Sequence, residues 1–234
     1  MPPKQGMRTV RRFIPRKLQP ILRGFRKRWQ LRKLQLSEPF RSVYPYTVGA
    51  MIRQQNLYRL AQDVETKRIP GAIVECGVLD GGMAALMASA TKNRPVHLFD
   101  SWEGLPEPTE KDTNAASIWA SQVVGSPRRV IAIMRKLGVD LSRLSFHKGW
   151  FDQTFPKANI DRIALLHIDA DFYESVKLCL DTWADKVSPG GYIALDDYAA
   201  FVGCRRAVDE YLAAHPNLHL EIVGEFAQAF FVRM

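Results

Sequence analysis

Four carboxylates in the 234-residue chain sit where carboxylates are expensive. LHIDADFYESV, residues 166–176, carries Asp169 and Asp171 at the end of an apolar run, and YIALDDY, residues 192–198, ends a second apolar run in Asp196 and Asp197. A buried carboxylate is costly unless it is paired or bound to a metal. Four of them at the ends of two such runs point to one shared, solvent-facing site. Helix N-capping is the competing reading for Asp171 alone, because a helix is expected to begin near Tyr173. A second chemical group is VECGVLDGG, residues 74–82, whose glycines Gly77, Gly81 and Gly82 let the backbone turn tightly and approach a ligand. The spacing G-x-x-x-G-G differs from the dinucleotide fingerprint G-x-G-x-x-G. Glu75 suits a pyrophosphate poorly and suits a cationic cofactor with an amino group and a sulfonium well. Asp100 ends the next apolar run, where an acid accepts hydrogen bonds from a ribose diol. Together these residues point to S-adenosylmethionine.

The elements that must position these groups alternate. The segments AIVECGV, PVHLFD, LSFHKG, RIALLHID and GGYIALDDY are expected strands. Helices are expected over AMIRQQNLYRLAQDVETKRI, GGMAALMASATK, most of residues 115–137, YESVKLCLDTWADKV and CRRAVDEYLAAHP, and HLEIVG with AQAFFVRM closes the chain as a hairpin. Strands alternating with helices imply an α/β fold, a doubly wound parallel sheet with helices on both faces. Such a sheet binds its ligands beyond the carboxyl ends of its strands, where the acids listed above fall. GLPEPTEKDTN, residues 104–114, is expected to be a mobile loop or lid.

The net charge of +9 is unevenly spread. Residues 1–36 hold twelve Lys or Arg and no acid, whereas residues 37–234 hold 21 basic residues against 24 acidic ones. The chain therefore divides into a basic arm, 1–36, and a mildly acidic domain, 37–234. The domain lacks the basic excess of a nucleic-acid binder. From Ile21 the arm has helical spacing, with Ile21, Leu22, Phe25, Trp29 and Leu34 on one side and basic residues on the other, a pattern suited to an anionic membrane surface or to packing against a partner. Neither a membrane span nor a signal peptide is evident. Cys76, Cys179 and Cys204 have no zinc-ligand spacing and are expected to be reduced and buried, and His97, His147 and His167 are expected to be core histidines. A cytoplasmic location is expected, with the arm either a flexible or partner-packed tail or a peripheral contact at the inner membrane face.

The blocks VECGVLDGG, LFDSWEGLPEP, HKGWFDQTFP, LLHIDADFYESV and SPGGYIALDDYAAFVGCRRAVDEY, in that order, resemble the macrocin O-methyltransferase family over roughly residues 40–234. The resemblance implies a class I, Rossmann-like methyltransferase: a mostly parallel seven-stranded sheet with an antiparallel C-terminal strand. It implies S-adenosylmethionine and Mg2+ as cofactors and a sugar hydroxyl of a glycosylated metabolite, glycolipid or polysaccharide precursor as acceptor. Carried over residue by residue, it makes Asp169, Asp196 and Asp197 metal ligands and Asp171 the general base. Glu75, Gly77 and Gly81 would meet the methionine part of the cofactor, Asp100 and Ser101 its ribose, and Gly149, Trp150 and Phe151 its adenine side, with Thr47 closing over it. The chain departs from the family pattern at Asp80, often basic in the family, and at Ala170, often Gly, and its basic arm falls outside the resemblance. The implied partner is a small-molecule or glycan acceptor; a homo-oligomer is left open. Two rival readings are a metal-dependent catechol or phenol O-methyltransferase and a non-catalytic scaffold tethered by the arm.

Overall fold

A strand buried on both faces has no polar side to alternate with, which is why AIVEC and IALLHI are apolar at nearly every position. In the computed structural model, which describes residues 19–31, 34–113, 116, 123–223 and 229–233, these two runs lie side by side in the middle of a seven-stranded sheet. The strands are β1 (Ala72–Cys76), β2 (Val96–Asp100), β3 (Leu144–Lys148), β4 (Ile163–Ile168), β5 (Val187–Leu195), β6 (Glu221–Ile222) and β7 (Ala229–Val232), in the order β3-β2-β1-β4-β5-β7-β6. The first five pair in parallel, whereas β7 runs antiparallel to both β5 and β6. The expected parallel sheet and closing hairpin are both present. The chain winds outward from β1 through β2 to β3, then returns to place β4 on the other side of β1. The topological switch point, the usual place for a ligand crevice, therefore lies between β1 and β4.

The helices are α1 (Gln19–Leu31), α2 (Phe40–Val43), α3 (Met51–Thr66), α4 (Gly82–Ser89), α5 (Pro127–Lys136), α6 (Phe151–Thr154), α7 (Tyr173–Trp183) and α8 (Val202–Ala214). Alternate strand residues feed two separate cores. Ile73, Leu98, Leu165 and Ala194 pack with α3, α4 and α5, and Val74, Phe99, Leu166 and Ile193 pack with α7 and α8. The three cysteines are buried and unpaired. Of the helix expected over 115–137, α5 forms from Pro127 onward; residues 117–122 lie outside the described residues. No described helix is long and apolar enough to cross a membrane.

The helix expected in the basic arm is present as α1, and it docks against the turn Tyr44–Tyr46. Its orientation is the reverse of what solvation alone favours. Arg23 and Lys27 turn toward the body, Lys27 with its ammonium 4.5 Å from the centroid of the Tyr44 ring, while Ile21, Leu22 and Phe25 are exposed.

The outer strand β3 is held partly by a histidine pair. His97 Nδ1 lies 3.0 Å from His147 Nε2, and the His147 ring stacks on Phe99. Burial, then the neighbouring His147, push His97 down to about 4 from its ordinary 6.5. A folded-state value below the unfolded one means that the unfolded chain takes up the proton first. The pair's contribution is complete above pH 6.5 and is lost as the pH falls toward 4. The urea midpoint should accordingly drop across this window in the wild type and drop less in His97→Asn; parallel profiles would remove the pair as a pH-sensitive contact.

Candidate functional site

The loop between β1 and α4 is built from conformations that only particular residues adopt. Gly77 has φ +94, and a Cβ there would lie 1.9 Å from the Asp169 carbonyl oxygen, so no side chain fits between the ends of β1 and β4. Gly81, at φ +81, is the residue from which α4 starts. The loop is fastened by Asp100 at the end of β2. Its Oδ2 accepts hydrogen bonds from the amides of Val78 and Leu79, both at 2.8 Å, and its Oδ1 accepts from the Trp102 amide at 2.6 Å. Asp100 thus holds the glycine loop, a task its sequence position did not reveal. Trp102 donates its indole N–H to the Leu79 carbonyl at 2.9 Å and is part of the same brace.

The other expected cofactor residues converge on this loop. Ser101 closes a tight turn, its hydroxyl donating to the Gly104 carbonyl and accepting from the Glu103 amide. The Gly149 amide donates to the Asp100 carbonyl at 3.0 Å, which ties the end of β3, with Trp150 and Phe151 following, to the end of β2. Thr47 lies over the first turn of α4, so close that a Cβ on Gly82 would meet its Cβ at 2.7 Å. Glu75 is buried in β1; its Oε1 is 2.9 Å from His167 Nδ1, and its Oε2 is buried without a hydrogen-bond partner. A buried acceptor left open inside a protein calls for a donor from elsewhere, and the ammonium group of a bound amino acid moiety fits it.

Asp169, Asp196 and Asp197 bring carboxylate oxygens within 4.8 Å of one another. Backbone ladders place them: the Asp169 amide donates to the Cys76 carbonyl and the Asp196 amide to the Ile168 carbonyl, both at 2.9 Å, so β4 and β5 hold their acids one residue beyond the sheet. Among the described residues no other such cluster occurs. Three hard oxygen donors gathered this closely fit Mg2+. Asp171, in the left-handed region at φ +57, adjoins them, its amide donating to Asp197 Oδ2 at 3.2 Å. It does not cap α7. The N-cap residue is Phe172, and the Tyr173 amide is satisfied by Asp112 Oδ1 at 3.0 Å, from the loop expected to be a mobile lid. Capping therefore does not explain Asp171.

Charge explains the titration of the cluster. Burial first, then the charges of Asp196 and Asp197, raise the Asp169 carboxyl well above the usual range. Burial, then Asp197 and Asp196, do the same to Asp171. Burial and Asp196 push Asp197 up to about 6. Asp196 goes the other way: burial opposes its ionisation, but His167 and Arg53 outweigh it. These two cations are the functional residues that sequence reasoning missed. His167 is buried as expected of a core histidine, yet it stands between Glu75 and Asp196, with Nε2 3.6 Å from Asp196 Oδ1. Burial disfavours its charge, and the flanking carboxylates reverse that and lift it to about 9. Its one sequence signal is position, two residues before Asp169 and so on the same side of the chain. Arg53, in the first turn of α3, donates to Asp196 Oδ2 at 2.7 Å from 143 residues away, and no local pattern marks it.

Asp80 also finds its meaning here. It is fully buried, its Oδ2 accepts from Arg23 Nε at 3.1 Å and Nη2 at 2.7 Å, and Arg129 Nε forms an ion pair with the same oxygen at 3.1 Å. Arg23 donates further to the Val124 carbonyl at 3.0 Å. An acid in the cofactor loop is therefore neutralised by arginines from α1 and α5, and α1 becomes part of the loop's support.

Known proteins similar to this chain identify its family and fold. The family model described as Macrocin-O-methyltransferase (TylF) matches residues 20–225, which takes in α1, part of the arm that the sequence resemblance had left outside. Demethyldecarbamoylnovobiocin O-methyltransferase of Streptomyces niveus is 35% identical over 178 residues, covering 72% of this chain and 68% of that protein. The 8-demethyl-8-(2,3-dimethoxy-alpha-L-rhamnosyl)-tetracenomycin-C 4'-O-methyltransferase of Streptomyces olivaceus is 33% identical over 177 residues, covering 71% and 67%. The solved structure of the O-methyltransferase NovP superposes with a TM-score of 0.74 at 27% identity, over 94% of this chain and 100% of that one. The architecture is that of the class I methyltransferases, as expected.

The Arg23–Asp80 pair yields a direct test. Arg23→Met leaves the buried acid with one cation fewer and should cost about 1–3 kcal/mol in urea unfolding. Arg23→Met combined with Asp80→Asn should recover part of that loss, giving a coupling of at least about 0.5 kcal/mol. Strict additivity of the two changes would mean that the pair does not hold α1 to the loop.

Proposed function

This chain belongs to the macrocin-O-methyltransferase family and is an O-methyltransferase; from that premise we propose that it transfers the methyl group of S-adenosylmethionine to a sugar hydroxyl with the help of Mg2+. The observation that carries this reading is the juxtaposition of Asp169, Asp196 and Asp197 with Asp171, beside a glycine loop in which Glu75 keeps a buried acceptor oxygen open. The sugar part of the reading draws on the rhamnosyl group in the name of the Streptomyces olivaceus relative. The acceptor belongs to a glycosylated metabolite, a glycolipid or a polysaccharide precursor.

The residues divide the work. Glu75 orients the cofactor's amino group, the glycines Gly77 and Gly81 let the backbone approach it, and Thr47 covers it. Asp100 and Ser101 shape the ribose side, and Gly149, Trp150 and Phe151 the adenine side. Mg2+ held by Asp169, Asp196 and Asp197 would supply Lewis acidity that lowers the pKa of an acceptor hydroxyl. Asp171 removes the proton. A free aspartate, at about 3.9, is a weak base toward a sugar hydroxyl. Burial and the adjoining acids raise Asp171 above that value in the metal-free protein, and Mg2+ on those acids would offset their share of the rise and keep Asp171 ionised to accept a proton. His167 and Arg53 hold Asp196 ionised and in place.

Two outcomes follow. Asn tolerates the left-handed backbone that Asp171 adopts, so Asp171→Asn should fold and bind S-adenosylhomocysteine normally while turning over at least about a hundredfold more slowly. Near-full activity would remove Asp171 from the role of base. Chelation should abolish turnover and leave S-adenosylhomocysteine binding largely intact, and Asp197→Asn should weaken Mg2+ binding measured by calorimetry. Undiminished turnover in excess chelator would end the metal assignment.

A further inference from the structure

Six of the nine large apolar side chains exposed among the described residues fall between residues 21 and 52: Ile21, Leu22, Phe25, Leu34, Val48 and Ile52. Phe25, with 65% of its surface in solvent, is the most exposed of them. Scattered exposed apolar residues need no explanation, but a gathering of them on one segment does. The same segment carries the chain's excess charge. Residues 1–62 contain fifteen Lys or Arg and one acid, Glu38, and Arg26 and Arg41 are exposed beside the apolar side chains.

The apolar side of α1 is not free to roll inward. Arg23 is held at Asp80 and Val124, and Lys27 lies over the Tyr44 ring, so the basic side faces the body and Ile21, Leu22 and Phe25 are presented outward. Turning Phe25 under would leave the buried Asp80 carboxylate with Arg129 alone. The face is therefore a fixed one, with a basic rim and aromatic and aliphatic side chains standing out of it. Charge decides what covers it. A second copy of the chain, meeting through a two-fold axis, would set this basic segment against itself. A polyanion such as nucleic acid would meet the charges and leave the apolar side chains unused. A lipid surface with anionic headgroups satisfies both.

We propose that the outward face of α1 docks this protein on an anionic lipid surface. Ile21, Leu22 and Phe25 enter the headgroup–acyl boundary, and the exposed Arg26 and Arg41 meet lipid phosphates. This inference does not depend on the methyl-transfer reading.

The test is co-sedimentation of the full chain with phosphatidylcholine vesicles, with and without phosphatidylglycerol. The expected result is binding that needs phosphatidylglycerol, weakens as salt rises, and falls by at least about tenfold in Phe25→Glu and in Ile21→Glu. Ile222→Glu, at an exposed apolar site on β6, should bind within about twofold of the wild type because it lies outside the basic segment. Thermal melts check that the variants fold; a lowered melt in either would pass the test to Phe25→Ser. Three results would overturn the proposal. One is no preference for phosphatidylglycerol. Another is wild-type binding by a folded Phe25 variant, which would leave charge alone as the cause. The third is a wild-type dimer that Phe25→Glu turns into monomer without any vesicle binding, which would make the face a self-interface.

Discussion

Five carboxylates, those of Glu75, Asp169, Asp171, Asp196 and Asp197, are crowded at the ends of three neighbouring parallel strands, and much of the site's construction answers their mutual repulsion. Left in a low-dielectric interior, such acids protonate or drive the strands apart. The protein supplies two cations of its own. His167 stands between Glu75 and Asp196, and Arg53 reaches Asp196 from the opposite side of the chain's length. They ionise one member of the cluster and leave the others with elevated affinity for protons, and hence for any cation that can replace them. A site of this kind is stable enough to fold and unsatisfied enough to bind.

The same economy of charge shapes the glycine loop. Its backbone amides are gathered by Asp100, and its own acid, Asp80, is neutralised by Arg23 and Arg129. One helix of the basic arm is thereby tied to the glycine loop between β1 and α4. That tie has a price: two of the arm's basic side chains point inward, and apolar ones are left in solvent. The odd surface of α1 and the acid in the loop are thus two consequences of one ion pair.

The layered fold and the location of the site were legible because they rest on periodicity and on strand ends. Runs such as IALLHI have no polar face and so must lie in a sheet covered on both sides, and the acids that terminate them must lie where ligands enter. Asp169, Asp196 and Asp197 converge for that reason alone, since β4 and β5 are adjacent and parallel. Asp171 was ambiguous in the sequence between capping and chemistry; the ambiguity ended only when Asp112, 61 positions before Tyr173, proved to satisfy the helix amide of Tyr173.

What the chain's sequence determined by itself, then, is the alternation of elements, the strand-end acids, the glycines that admit a ligand and the segregation of basic charge into an arm. Each is a local property, carried by neighbouring residues and the two periods of regular structure. Only the tertiary structure decided who compensates whom. Arg53 with Asp196, Arg23 with Asp80, His167 with Glu75 and Asp100 with the loop amides are contacts between residues 21 to 143 positions apart. Electrostatic pairing depends on distance in space and on burial, and neither is written in the spacing of residues along a chain.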